Sequence, residues 1–235
     1  MSVLEVQNVV KSFGVLRAVD DVSISLEQGD NLAIIGESGC GKTTLAKMIM
    51  GLIPPDTGFI KADKYSLQMV FQDPNQSLDP LWNVREILKE GLWRTCTTPG
   101  VVQSKLEKIL IAVGLPLEAL QRFPHEFSGG ERQRIAIARA LLADPKVLVL
   151  DEAVSALDTL VQRQIMDLLK KLKQDFNLTY IFISHNLRLV RDFSDKIIVM
   201  YQGKIVEEGQ AQKVLQSPKH PYTQQLLQAA FYKNI

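Results

Sequence analysis

Cysteine is scarce in this chain. Cys40 and Cys96 are the only two in 235 residues, far apart and without metal-ligand spacing. That pattern argues against a disulfide framework and fits a reducing compartment. Excess charge of one sign is missing as well. The 27 Lys and Arg residues balance 26 Asp and Glu, for a net charge of +1. Neither a nucleic-acid-binding patch nor an acidic partner is indicated. No window reaches ~18 uninterrupted apolar residues, so no membrane span is expected. The first ten residues, MSVLEVQNVV, lack the basic start and apolar run of a signal peptide. No internal repeat or low-complexity tract is present. If the protein works at a membrane, it must dock onto something else that crosses it.

What is present is ordinary for a globular chain: 46% hydrophobic residues, enough for one sizeable core with a lobe attached. VLEVQNVV and VSISLEQGD alternate apolar and polar residues and predict strands. NLAII (31–35) is a short apolar run before a glycine loop, as a buried parallel strand would be. A helix is expected from about Lys42 to Met50, and PPDTG then breaks the chain. LQMVFQ (67–72) reads as another strand. Residues 83–143 hold helical spacings and no convincing strand, with TCTTPG (95–100) as a loop between two of the helices. Strands resume at 147–150, 178–184 and 196–202, separated by helical stretches at 159–174 and 186–193. This β–α alternation argues for a parallel sheet. YQGKIVEEG reads as a tight hairpin around Gln202–Gly203, and the tail as two short helices split by Pro218 and Pro221.

Two stretches look built for phosphate. The first is GESGCGKTT: Gly36, Glu37, Ser38, Gly39, Cys40, Gly41, Lys42, Thr43 and Thr44. It fits G-x-x-x-x-G-K-[ST], with a strand before it and a helix after it. The glycines let backbone N–H groups turn inward around phosphate oxygens. Lys42 supplies a point charge to the terminal phosphates, and the Thr43 hydroxyl is placed to hold Mg²⁺. Cys40 reads as a small filler, because a nucleophilic thiol would need an activating base. The partner element is KVLVLDE (146–152): Asp151 at the strand end can orient Mg²⁺ through its waters, and Glu152, one residue on, can take a proton from an attacking water. The second stretch is FSGGERQR (127–134). Ser128, Gly129 and Gly130 lead into a helix whose free N–H groups suit an anion.

With these elements in view, the sequence resembles the ATP-binding-cassette (ABC) ATPases over nearly its whole length. SGGER (128–132) is similar to that family's signature, SALD (155–158) to its D-loop, IFISH (181–185) to its switch region and VFQDP (70–74) to its Q-loop. The resemblance implies an α/β fold of ABC ATPase type. Its parts would be a RecA-like P-loop NTPase core with an antiparallel β-lobe, over 1–82 and 144–235, and an inserted helical lobe at 83–143, all one domain. It also implies that two such ATPases pair head to tail, with Ser128, Gly129 and Gly130 of one contacting the γ-phosphate held by the other. Phe13 falls where the family stacks an aromatic on adenine, although a plain core role is also open. Gln72 would contact Mg²⁺ or the water, His185 would position the γ-phosphate and water, and Asp158 would shape the dimer interface. ATP and Mg²⁺ are the implied cofactors.

Finer phrases (VFQDPNQSLDP, FPHEFSGGERQR, LDEAVSALD and HPYTQQLL) are similar to the peptide/nickel importer subfamily. The implied function is the ATP-hydrolysing subunit of a bacterial importer for peptides, nickel or a metal–metallophore complex. It would sit peripherally on the cytoplasmic face of the cell membrane. Its partners would be transmembrane permease subunits, a second ABC ATPase that is identical or different, and indirectly an extracytoplasmic substrate-binding protein; no nucleic acid is implied. The other reading is a soluble regulatory ATPase that clamps a non-transport partner. Three departures from the subfamily stand out. Lys42 and Gln72 are only thirty residues apart, which predicts a trimmed β-lobe. Glu131 stands where Gln is usual. No cysteine-bearing extension follows Tyr222, so no iron–sulfur cluster is expected. Leu81 and Trp82 either receive a permease helix or, for Trp82, serve the core.

Overall fold

The strands NLAII and VLVLD are apolar at almost every position, and all of their residues are buried. A strand is buried on both faces only inside a sheet covered on both sides. The computed structural model, which describes residues 2–94 and 98–231, shows that sheet. Cys96, with the loop residues 95–97 around it, lies outside the described residues.

The sheet has six strands in the order β5 (Leu67–Val70), β6 (Val147–Asp151), β7 (Thr179–Ile183), β3 (Asn31–Ile35), β8 (Lys196–Tyr201) and β9 (Lys204–Gln210). The first five run parallel, and β9 returns antiparallel after the turn at Gln202–Gly203. A smaller antiparallel sheet has the order β2 (Leu16–Glu27), β1 (Ser2–Phe13) and β4 (Thr57–Ala62).

Side chains alternate across each strand, and the large sheet divides its apolar residues accordingly. Leu32, Ile34, Val147, Val149, Ile181 and Ile183 face a core shared with the small sheet and α1 (Lys42–Ile49). Ala33, Ile35, Leu148, Leu150, Tyr180 and Phe182 face the second core. That core also takes in α3 (Val84–Glu90), α4 (Pro99–Ala112), α5 (Gly129–Leu141) and α6 (Thr159–Phe176). Among the described residues, 83–143 contain no strand. The remaining α-helices among the described residues are α2 (Pro74–Ser77), α7 (Leu187–Phe193), α8 (Ala211–Gln216) and α9 (Pro221–Phe231).

Among the described residues, β4 is the one strand that sequence pattern did not indicate. Most of its residues are exposed or half-buried, so the segment carries little apolar alternation. It is a strand because Leu4, Val6 and their neighbours on β1 pair with Ala62 and Ile60.

Candidate functional site

Parallel strands of a covered sheet present their C-terminal ends to one edge, where ligands bind. Here three neighbouring strands end together. β3 leads into Gly36, β6 into Asp151 and Glu152, and β7 into Ser184 and His185. The Glu152 N–H donates to the Ile183 carbonyl at 3.0 Å, which ties two of these ends to each other.

The loop from Gly36 to Gly41 wraps tightly against its surroundings. A Cβ on Gly36 (φ 149°) would collide with the Met200 carbonyl oxygen, and one on Gly41 (φ 109°) with that of Ala18. Only glycine lets the backbone pass there. Lys42 is 5% exposed. Its Nζ donates to the carbonyls of Gly36 (2.8 Å) and Glu37 (2.7 Å). Cys40 is buried with its Sγ 3.7 Å from the same ammonium. Burial pushes its thiol up, and Lys42 pulls back only in part, so the thiol form fills space.

The Thr43 hydroxyl lies 3.4 Å from Asp151 Oδ1. Burial pushes the Asp151 carboxyl above its usual range; the Thr43 hydroxyl opposes this and the neighbouring Glu152 adds to it. A buried carboxylate under that strain, beside a hydroxyl, suits a divalent cation, whose charge would relieve both effects.

Glu152 has φ 49°, a left-handed backbone in a residue that is not glycine. Such strain costs about 1–3 kcal/mol and gathers at functional sites. The Ser155 N–H and hydroxyl both donate to the Glu152 carbonyl at 2.9 Å and hold the turn. Glu152 Oε1 lies 3.5 Å from His185 Nδ1. Glu152, His185, Lys42 and Gly36–Ser38 line one cleft of about 420 Å³, with Leu226 of α9 across from them.

A second cleft, of about 500 Å³, adjoins the outer side of the loop and is lined by Leu16, Arg17, Gly39, Cys40, Tyr201 and Gln202 among others. Phe13 pairs with Leu16 across the β1–β2 turn and is 50% exposed, but it is not in the cleft wall. Tyr201, which sequence reasoning passed over, is. Its only sequence signal was an aromatic at the end of a predicted strand.

The other candidates lie elsewhere. Gln72 is exposed two residues beyond Val70, which pairs with Leu150, so it stands near the β6 end without lining the first cleft. Ser128, Gly129 and Gly130 line neither cleft. Ser128 caps α5: its hydroxyl and N–H donate to Glu131 Oε2 at 2.7 and 2.8 Å, and its oxygen accepts from Glu131 N. The two Ser128 donors hold the Glu131 carboxyl below its usual range. The glycines also serve internal packing, since a Cβ on Gly130 would sit 2.5 Å from Val161 of α6. Asp158 caps α6, accepting from the N–H groups of Leu160 and Val161. Leu81 is 82% exposed and Trp82 is partly so; neither belongs to the apolar groove of about 330 Å³ nearby, which Leu52, Phe71 and Trp93 line together with the Glu90–Arg139 ion pair.

Comparison with known proteins identifies the family. The family model described as "ABC transporter" matches residues 19–155. "Probable D,D-dipeptide transport ATP-binding protein DdpF" of Escherichia coli K12 is 48% identical, over 90% of this chain and 70% of its own. "Oligopeptide transport ATP-binding protein AppF" of Bacillus subtilis 168 is 42% identical, over 96% and 77%. Among solved structures, cbiO1 from Clostridium perfringens, described as part of the ABC transporter complex cbiONQ, aligns with a TM-score of 0.84 at 26% identity, over 92% of this chain and 91% of its own. The ATP-binding cassette MJ0796, solved as a dimer bound to ADP and Pi, aligns at 0.77 and 27% identity, over 88% and 98%. With its glycine loop, buried lysine and paired carboxylates at the ends of adjacent parallel strands, this chain belongs to the ABC transporter family and is one of its ATP-binding, ATP-hydrolysing subunits.

Proposed function

We propose that the chain energises a bacterial importer of peptides, as the names of its relatives suggest, by hydrolysing ATP in the cleft between Gly36–Ser38 and Glu152. The observation that carries this reading is the convergence of Lys42, Glu152 and His185 on that cleft. The regulatory-clamp alternative has no observation in its favour.

In this reading Gly36–Thr44 cradle the phosphates. Lys42 exchanges two neutral carbonyl acceptors for charged phosphate oxygens, and charge-assisted bonds are the stronger. Thr43, Asp151 and Gln72 would hold Mg²⁺, which would neutralise charge on the phosphates. Glu152 accepts a proton from the attacking water, and His185 beside it fixes the water and the terminal phosphate. Ser128, Gly129 and Gly130 serve the nucleotide of a second ATPase subunit. For that, the Ser128 hydroxyl leaves Glu131. Asp158, at the start of α6, links this interface to Gly130 through Val161. Phe13 flanks the adenine side from the hairpin tip, and Tyr201 forms the wall.

The segment 83–143 acts as a helical lobe on the core formed by 1–82 and 144–235. The groove of Leu52, Phe71 and Trp93 takes a transmembrane permease subunit, which keeps the chain peripheral at the cytoplasmic face of the membrane. No helix among the described residues is long and apolar enough to cross it.

Two measurements test the reading. Purified Glu152→Gln should change from monomer to dimer in light scattering when Mg-ATP is added. Cells lacking this chain should lose uptake of labelled di- or oligopeptide and keep uptake of nickel. Loss of nickel uptake alone would reject the peptide assignment.

A further inference from the structure

The phrase HPYTQQLL near the C-terminus has no part in the reaction described above, yet the fold brings it to the phosphate loop. The Glu37 N–H, in the first turn of that loop, donates to Tyr222 Oη at 2.9 Å. Lys42 Nζ holds the carbonyls of Gly36 and Glu37 from the other side. The Gly36–Glu37 turn is thus gripped by a lysine from within and a tyrosine 185 residues away.

Tyr222 is itself fixed. It is buried, and its ring centroid lies 4.2 Å from that of Tyr201. Its N–H donates to His220 Nδ1 at 3.2 Å. Glu207 on β9 accepts the N–H groups of Lys219 (2.8 Å) and His220 (3.0 Å). One turn along α9, Leu226 reaches the cleft of Lys42, Glu152 and His185. A chain of contacts therefore runs from β9 through the start of α9 into the phosphate loop. Burial raises the Tyr222 pKa above the ordinary tyrosine value, so the hydroxyl stays neutral.

We infer that Tyr222 is a positioning residue for nucleotide binding: α9 uses its hydroxyl to hold the Gly36–Glu37 turn in the shape that receives a nucleoside triphosphate. The inference rests on the reading that Gly36–Thr44 holds the phosphates. When Lys42 turns to the phosphates, its two bonds to the loop are given up, and the Tyr222 bond remains. Without that hydroxyl, the unliganded loop can relax and offer the Glu37 N–H to water. The liganded loop cannot, so the loss falls on the bound state.

The test uses the full chain with Tyr222→Phe, which removes one oxygen and keeps the ring against Tyr201. Three quantities are read: Mg-ATP affinity with a fluorescent ATP analogue, steady-state KM and kcat, and Tm. One lost hydrogen bond predicts a KM and Kd raised roughly two- to tenfold, with kcat unchanged because neither Glu152 nor His185 contacts Tyr222. A lowered Tm with unchanged Kd and KM would overturn the inference and leave Tyr222 as an anchor for α9 only. Lys42→Ala is measured alongside. If Lys42→Ala binds Mg-ATP like the parent chain, the phosphate-loop reading fails and takes the inference with it. If Lys42→Ala loses binding while Tyr222→Phe keeps it in full, the inference alone fails.

Discussion

Gly130 offers a test in which two effects oppose each other and the structure decides the sign. It lies in the first turn of α5 with no positive φ, so alanine fits its backbone. Helix propensity alone would make Gly130→Ala stabilising by up to about 1 kcal/mol. The new Cβ, however, would sit 2.5 Å from Val161 Cγ1. Val161 is β-branched and in a helix, so its χ1 has little freedom to swing away. Overpacking of that kind costs about 1–3 kcal/mol. The balance is a net loss of roughly 0–3 kcal/mol, which at this chain length lowers Tm by up to about 12 °C. In a Val161→Ala background the obstruction is gone, and the same substitution should become neutral or stabilising. The assay is a double-mutant cycle by chemical denaturation of four proteins: parent, each single variant and the double. A coupling of about 1–3 kcal/mol is expected. Gly130→Ala that stabilises the parent chain, or a coupling near zero, would refute the packing argument and leave Gly130 only its proposed role toward a partner's phosphate.

Other substitutions separate the remaining roles. Glu152→Gln should keep Mg-ATP binding while steady-state hydrolysis falls by about 10²–10⁴-fold; parental turnover would remove Glu152 as the base. Glu131 has a folded pKa below its ordinary value, held there chiefly by the Ser128 N–H and hydroxyl. Its contribution to stability is present above the ordinary glutamate pKa of 4.5 and is lost as pH falls through the lower folded value. Glu131→Ala should therefore be less stable than the parent chain near neutral pH, and the gap should narrow on acidification below pH 4.5; a gap constant with pH would refute this. Trp93→Asp should leave the ATPase activity of the isolated chain unchanged and abolish transport in membranes containing the permease. The same change at the exposed Leu81 should be milder, because Leu81 is not part of the groove.

The parts of the site that the sequence revealed are those whose chemistry is local. The phosphate loop is nine consecutive residues between a strand and a helix, and both flanking elements are strongly patterned. Glu152 stood out because it follows the apolar run VLVL and Asp151, and His185 because IFISH resembles the family's switch region; both lie at the ends of strands in a covered parallel sheet. The resemblance of five short phrases to the ABC ATPases supplied the order of the parts. β4 was not legible: its exposed, weakly alternating residues become a strand only through β1. The groove lined by Leu52, Phe71 and Trp93 was not legible either; the sequence pointed instead to Leu81 and Trp82, both of which are exposed. Solvent exposure of a tryptophan depends on what packs over it, and the groove joins Leu52, Phe71 and Trp93 from three separate segments.

The sequence by itself was enough to place the chain in its family, through motifs that resemble those of the ABC ATPases, and to single out the loop, carboxylates and histidine as candidates, because each motif is a run of residues adjacent along the chain. Only the tertiary structure decided that Tyr222 meets Glu37, that Gly130 presses on Val161 and that Tyr201 walls the outer cleft. Those contacts join segments far apart in sequence. Each is set by how the sheets, helices and tail pack against one another, which no local pattern of residues encodes.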